Sequence, residues 1–252
     1  MKRQILVTRP TGQADELCRH LIARDLAPLV VPTVAIETST AAAGLDAMIS
    51  GLANADWLVL TSANGARALA SRLAVNGHAM PRTIRIAAVG PATADALAGA
   101  GIRVDHVPDQ YLTVAIAEGL GDVDGRRVVL ARADNATSAL HDALVARGAL
   151  VEEVVAYRTI EGPASSRDLL HAAVQRDLDG IAFTSGSTVR GLIRLASSID
   201  RARVRTVGAF CIGPVTAAEA RRSGFRVAAI ASEHTAVGLA NAITTTLARV
   251  SR

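Results

Sequence analysis

Ile5-Leu6-Val7-Thr8-Arg9 (ILVTR) and Val128-Val129-Leu130-Ala131-Arg132 (VVLAR) stand 123 positions apart, and that offset organises the whole sequence. At the same shift, Leu17, Leu21, Ile22 and Arg24 fall on Leu140, Leu144, Val145 and Arg147. Leu60-Thr61-Ser62 falls on Phe183-Thr184-Ser185, and Gly90-Pro91-Ala92-Thr93-Ala94 on Gly213-Pro214-Val215-Thr216-Ala217. Ile102-Arg103-Val104 falls on Phe225-Arg226-Val227. A register kept from end to end with no net gap marks two copies of one plan.

Each copy alternates strand and helix signals. Ile5–Thr8 is a short apolar run with β-branched content, and Pro10-Thr11-Gly12 turns it into a helix on which Leu17, Leu21 and Ile22 are expected to share a face. Further strands are expected at Leu29–Val31, Trp57–Thr61, Ile84–Val89 and Arg103–Val107. Helices are expected through Ala66, Leu69 and Leu73 and over Ala92–Ala98. Strands separated by helices imply parallel sheets covered on both faces. About five strands per copy fits a small doubly wound, flavodoxin-like or Rossmann-like α/β unit. Were copies and domains the same, the boundary would fall near Asp122–Gly125.

Composition narrows the function classes. Half of the 252 residues are hydrophobic and 20% charged, as in ordinary globular proteins. No apolar run approaches the roughly 20 residues of a spanning helix. The Met1–Pro10 stretch is too short in apolar residues for a signal-peptide core, so a cytoplasmic protein is expected. Cys18 and Cys211 have no metal or redox spacing and read as inert thiols; the six histidines are scattered without a His-x-x-x-His pair, so no metal is expected. The net charge is +4, and every basic residue except Lys2 is arginine, spread along the chain. With aromatics scarce, nucleic acid is a poor partner and a small polyanion a better one.

The strongest local signals sit at strand ends, where open α/β sheets bind ligands. Thr61-Ser62-Ala63-Asn64-Gly65 and Thr184-Ser185-Gly186-Ser187-Thr188 each follow a strand and open a helix. Ser62 and Ser185 there can cap the helix, or leave amides facing an anion. Gly90-Pro91-Ala92-Thr93 and Gly213-Pro214-Val215-Thr216 follow strands too. Gly90 and Gly213 allow close approach of backbone to ligand, proline suits a first helical turn, and Thr93 and Thr216 can donate or cap. No Gly-Lys-Ser/Thr loop follows these turns and no Gly-x-Gly-x-x-Gly follows a strand, so ATP and dinucleotide cofactors lose support.

In this order, the Val7-Thr8-Arg9-Pro10 start, the Thr-Ser strand ends, the two Gly-Pro-x-Thr turns, Leu130–Arg132, Ala156-Tyr157-Arg158-Thr159 and the closing His234-Thr235-Ala236-Val237-Gly238-Leu239 resemble the uroporphyrinogen-III synthase family. Asn64, where some members carry Arg, and Gln110-Tyr111-Leu112-Thr113 depart from its pattern. The resemblance implies a lyase of heme biosynthesis without a cofactor. It takes the linear tetrapyrrole hydroxymethylbilane, loses the terminal hydroxyl, and closes the ring with the last pyrrole inverted through a spiro intermediate. It implies an exchange between the copies, with lobes of residues 1–36 plus 161–252 and 37–160, joined by a two-stranded linker near 37–44 and 158–166. It implies Tyr157 as proton donor to the leaving hydroxyl, with Thr93 and Thr216 lining one cleft and Ser62 and Ser185 next to them. Arg9 and Arg132 are candidates for substrate carboxylates, or else structural ion pairs. A monomer making transient contact with the preceding pathway enzyme is expected. The rival is a non-catalytic two-lobed module that binds a tetrapyrrole or small anion; two α/β lobes also describe binding proteins and sensors.

Overall fold

The computed structural model describes residues 2–109 and 113–250. The chain opens with β1 (Gln4–Val7), α1 (Asp15–Ile22), β2 (Ala27–Val30), β3 (Val34–Glu37) and α2 (Ala42–Gly51). It continues through β4 (Trp57–Leu60), α3 (Ala63–Asn76), β5 (Arg85–Ala88), α4 (Pro91–Ala98), α5 (Thr113–Gly119), β6 (Arg127–Ala133), α6 (Ala139–Val145) and β7 (Leu150–Glu161). It closes with α7 (Arg167–Val174), β8 (Leu178–Phe183), α8 (Gly186–Leu195), α9 (Ser198–Thr206), β9 (Ala209–Cys211), α10 (Pro214–Arg222), β10 (Val227–Ile230) and α11 (Ala236–Val250).

Two compact units result, one of Met1–Ala35 with Ile160–Arg252 and one of Ile36–Thr159. The first holds a five-stranded sheet in the order β10-β9-β8-β1-β2, the second a sheet in the order β3-β7-β6-β4-β5. β1 pairs with β8 and β4 with β6, both parallel, so the opening strand of each sequence copy completes the sheet of the other. Read outward from β1, the first sheet has the 2-1-3-4-5 order of a flavodoxin-like doubly wound fold.

Strand residues alternate between two buried faces. In the first unit Leu6, Ile181 and Phe183 enter one cluster, while Ile5, Val7, Ala182 and Phe210 enter the other. In the second unit Leu58, Leu60, Val129 and Ala131 face one way and Trp57, Val59, Val128 and Leu130 the other. Burial on both faces explains why these strands read as unbroken apolar runs rather than alternating ones. α3 ends on Gly77, whose φ of 64° supplies the left-handed C-cap.

Two local expectations fail. Ile22 does not share the buried face of Leu17 and Leu21; it is 56% exposed at the last residue of α1. Arg103–Val107 does not form a strand and makes only an isolated bridge, His106 to Ala87. The cause lies in Asp105, whose carboxylate accepts the Ile86 amide at 2.9 Å and takes a ladder position for itself. The copied position is Ala228, which cannot compete, and β10 forms there. The stretch Thr38–Gly44 carries a 3-10 turn at Ser39–Ala41 and the start of α2. Gln110-Tyr111-Leu112 lies outside the described residues.

Candidate functional site

Each unit gathers its singled-out residues at the carboxyl ends of neighbouring strands. In the second unit Ser62 follows β4, Gly90 and Thr93 follow β5, Arg132 lies near the end of β6, and Tyr157 lies on β7 opposite Ala133. In the first unit Arg9 follows β1, Ser185 follows β8, and Gly213 and Thr216 follow β9. This is the edge at which doubly wound sheets present helix N-termini to ligands. A cavity of about 390 Å³ lined by Met80, Arg82 and Arg103 opens instead near the start of β5, at the amino edge, and holds none of these residues.

The two serines cap. Ser62 Oγ accepts the Gly65 amide at 3.1 Å. Ser185 Oγ accepts the Thr188 amide at 3.2 Å, and Thr188 Oγ1 accepts the Ser185 amide at 3.3 Å, a full capping box. A hydroxyl that accepts through oxygen still carries its own hydrogen to donate.

The threonines divide differently. Among the described residues five are buried: Thr8, Thr33, Thr93, Thr188 and Thr216. Thr8 donates to the Ala182 carbonyl at 2.7 Å, Thr33 to the Thr188 carbonyl at 2.8 Å, and Thr188 to the Ser185 carbonyl at 2.7 Å. Thr93 and Thr216 have no side-chain hydrogen bond to any described residue, although they occupy equivalent turns in the two copies. This sets the two hydroxyls apart from those of Thr8, Thr33 and Thr188, which are paired inside the protein. Neither hydroxyl is among the polar atoms sealed in the interior without a partner.

Gly90 and Gly213 are extended, with φ of −176° and −167°, a conformation open to any residue. A Cβ at 213 would make a tight contact, 3.2 Å from His234 Nε2. Pro91 and Pro214 open the helices from the first turn, where a missing N–H costs nothing.

Tyr157 is 7% exposed, its ring in the core of the second unit with Leu60, Leu69 and Ala156. Its hydroxyl makes no hydrogen bond to a described residue and is not sealed in the interior. Arg132 is paired internally. Its Nη1 meets Glu153 Oε1 at 2.7 Å, its Nη2 donates to the Thr137 carbonyl, and its side chain is 7% exposed. Arg9 is half-buried and already has an interaction within the protein.

One charged group at this edge was invisible in the sequence. Arg190, on the first unit's α8, gives Nε and Nη2 to Glu161 Oε1 at 3.0 and 2.6 Å. Its Nη1 lies 3.6 Å from Glu219 Oε2 and 3.1 Å from where a Cβ on Gly186 would stand. The hydrogen bonds that Arg190 donates to Glu161 strengthen its hold on its proton, and Arg222 pulls the Glu219 carboxyl below its usual range. Its partners lie 29 residues before and after it in the chain, too far apart for any local pattern to join. Cys211 is buried, its thiol pushed up to about 11 by burial, while Cys18 is only partly covered. No group of three metal-type ligands occurs among the described residues, and no helix among them is long and apolar enough to cross a membrane.

Comparison with known proteins adds to this geometry. The sequence model of the family described as "Uroporphyrinogen-III synthase HemD" matches residues 15–241. The chain is 34% identical over 248 residues to a uroporphyrinogen-III synthase of Synechococcus elongatus, covering 96% of this chain and 94% of that protein. In fold it is similar to a mutant uroporphyrinogen III synthase from Thermus thermophilus, with a TM-score of 0.67, 20% identity and coverage of 98% and 99%. It is also similar to the uroporphyrinogen-III synthetase of Helicobacter pylori, with a TM-score of 0.58, 15% identity and coverage of 99% and 100%.

Proposed function

Because the chain belongs to the uroporphyrinogen-III synthase family, we propose that it is a lyase that cyclises hydroxymethylbilane to uroporphyrinogen III with loss of water. The observation that carries this reading at the level of the site is the matched pair of unspent hydroxyls, Thr93 and Thr216. Each unit offers the substrate one such turn, with helix amides of the same first turn beside it.

The chemistry asks for little covalent work from the protein. Protonation of the terminal hydroxyl releases water and leaves a cationic azafulvene. The last pyrrole attacks that carbon at its substituted position to form a spiro centre, and reopening and closure deliver the inverted ring. The pyrroles supply the electrons, so the protein's contribution is to hold one folded geometry and to give one proton. Tyr157 supports the donor role: its phenol makes no hydrogen bond to a described residue, which leaves its proton to give. Ser62, Ser185, Gly90 and Gly213 hold the turns that face the substrate's carboxylates. Arg9 is a further carboxylate partner, whereas Arg132 contributes by holding the end of β6 through Glu153. The site works without a cofactor, in a cytoplasmic enzyme that acts as a monomer.

The test is product analysis. Purified protein given enzymatically generated hydroxymethylbilane is expected to yield the type III isomer in place of the type I isomer that closes spontaneously. Type I product alone, at the uncatalysed rate, would leave a tetrapyrrole-binding module and no enzyme. The same assay after exhaustive chelation is expected to give an unchanged rate.

A further inference from the structure

The closing His-Thr-Ala-Val-Gly-Leu segment is held in a tight turn that opens α11. Thr235 Oγ1 accepts the Gly238 amide at 3.0 Å, and the Thr235 amide donates to the Glu233 carbonyl at 2.8 Å. A side chain on Gly238 would overlap that same carbonyl, so only glycine lets the start of α11 fold back on residue 233. The product of this tight turn is the position of His234. Its ring tip packs close against the point where a side chain at Gly213 would begin, with Nε2, Cδ2 and Cε1 all within 3.2–3.4 Å of that point. His234 is nevertheless exposed, and it makes no hydrogen bond or ion pair with any described residue.

The imidazole therefore stands over the Gly213 turn beside three other donors. The Val215 and Thr216 amides precede the first i→i−4 bond of α10, which runs from Ala217 N to Gly213 O at 3.0 Å, and the Thr216 hydroxyl is unspent. Val215 itself is 80% exposed, an apolar face at the same turn. A carboxylate arm on a flat apolar ring matches that combination: the ring lies on Val215 and the arm meets amides, hydroxyl and imidazole. At the 123-residue offset the first copy has Ala92 in place of Val215 and Tyr111 in place of His234, so the sequence builds this arrangement once.

We propose that His234 is a substrate-contacting residue that hydrogen-bonds one carboxylate arm of the linear tetrapyrrole at the Gly213 turn. The proposal rests on the functional reading above and adds a residue to it. It is distinct from the proton-donor role assigned to Tyr157, because it acts on binding and not on departure of the hydroxyl.

Steady-state kinetics with enzymatically generated hydroxymethylbilane test it. His234→Phe keeps a ring over Gly213 and removes both nitrogens; its KM is expected to rise about tenfold, the worth of one hydrogen bond to a charged group, with kcat and the isomer ratio at saturation unchanged. His234→Gln restores a neutral donor and is expected to recover most of that loss. His234→Ala is assayed beside them, so that a Phe ring too bulky for the turn does not decide the outcome. An active wild type whose Phe and Ala variants keep the wild-type KM overturns the proposal and leaves the functional reading standing. Equal loss in the Gln and Phe variants, tracking a lowered melting temperature, also overturns it by showing a packing role. A wild type that makes no type III isomer refutes the functional reading itself.

Discussion

At the scale of single residues, the difference between a capped hydroxyl and an unspent one carries the functional argument. Thr93→Val and Thr216→Val keep the buried shape and remove only the hydroxyl. Because neither hydroxyl has a described partner, little stability should be lost, whereas Thr33→Val would remove the buried hydrogen bond to the Thr188 carbonyl. Each of the first two variants is expected to lower kcat/KM by about tenfold, the equivalent of one hydrogen bond to a charged group. Unchanged kcat/KM in both, with normal melting, would show that the paired turns do not touch substrate. Tyr157→Phe is expected to behave differently. General acid help is typically worth about 10²–10⁴-fold, so kcat should fall by at least tenfold with little change in product binding. Slower enzymatic closure also lets spontaneous closure compete, so the ratio of type III to type I product should fall with the rate. A Phe variant with the wild-type rate and ratio would make the hydroxyl a bystander. The equivalent turns of Thr93 and Thr216 were legible in the sequence because the repeat marks them, while Tyr157 enters through the family resemblance. Arg132 was not: an arginine at a strand end reads alike whether it awaits a carboxylate from substrate or holds Glu153, and only the register of β6 against β7 decides.

At the scale of elements, the sequence fixes type better than termination. Continuous apolar runs such as Trp57–Leu60 announce buried parallel strands, and the Thr-Ser and Gly-Pro signals announce the helices that follow. Where an element failed, a side chain competed with the backbone, as Asp105 does beside β5. Contacts between elements distant in sequence left no local trace. The closest of these is α8 against the chain at Thr33. The Thr33 carbonyl accepts the Gly162 amide at 2.9 Å, and a Cβ on Gly191 would overlap that carbonyl oxygen. Gly191 therefore sets how near α8 lies to the segment that leads into β3. Gly191→Ala is expected to destabilise by about 1–3 kcal/mol, the usual cost of overpacking, which lowers the melting temperature by several degrees in a chain of this size. Gly51→Ala is the control, since a Cβ there meets nothing within 4 Å; at a compatible backbone position it should be neutral or stabilising by about 0.4–1 kcal/mol. Equal melting of the two variants would remove the claim that α8 is seated by this glycine.

At the scale of the whole molecule, the internal repeat was visible at once because its offset never drifts, while the pairing of β1 with β8 and β4 with β6 is a choice of partner that no periodicity encodes. Charge is the property that acts over the same range. The chain carries 27 basic and 23 acidic residues, a net charge of +4, and the proposed substrate is a polycarboxylate. Two kinds of attraction then operate. Hydroxyls and helix amides act at contact distance and are little affected by salt, whereas the net positive field reaches about 10 Å at 0.1 M ionic strength and about 3 Å at 1 M. Several arginines are already spent on internal carboxylates, among them Arg72 on Asp46, Arg132 on Glu153 and Arg190 on Glu161. The screened part should therefore be the smaller one. Raising the salt from 0.05 to 0.5 M is expected to raise KM by only about three- to tenfold, because the long-range part alone is screened, with kcat nearly constant. A much steeper rise would mean that charge attraction dominates carboxylate recognition and would move the emphasis from Thr93 and Thr216 to the arginines. A KM that did not move at all would mean that the net charge has no part in drawing the polyanion to the protein.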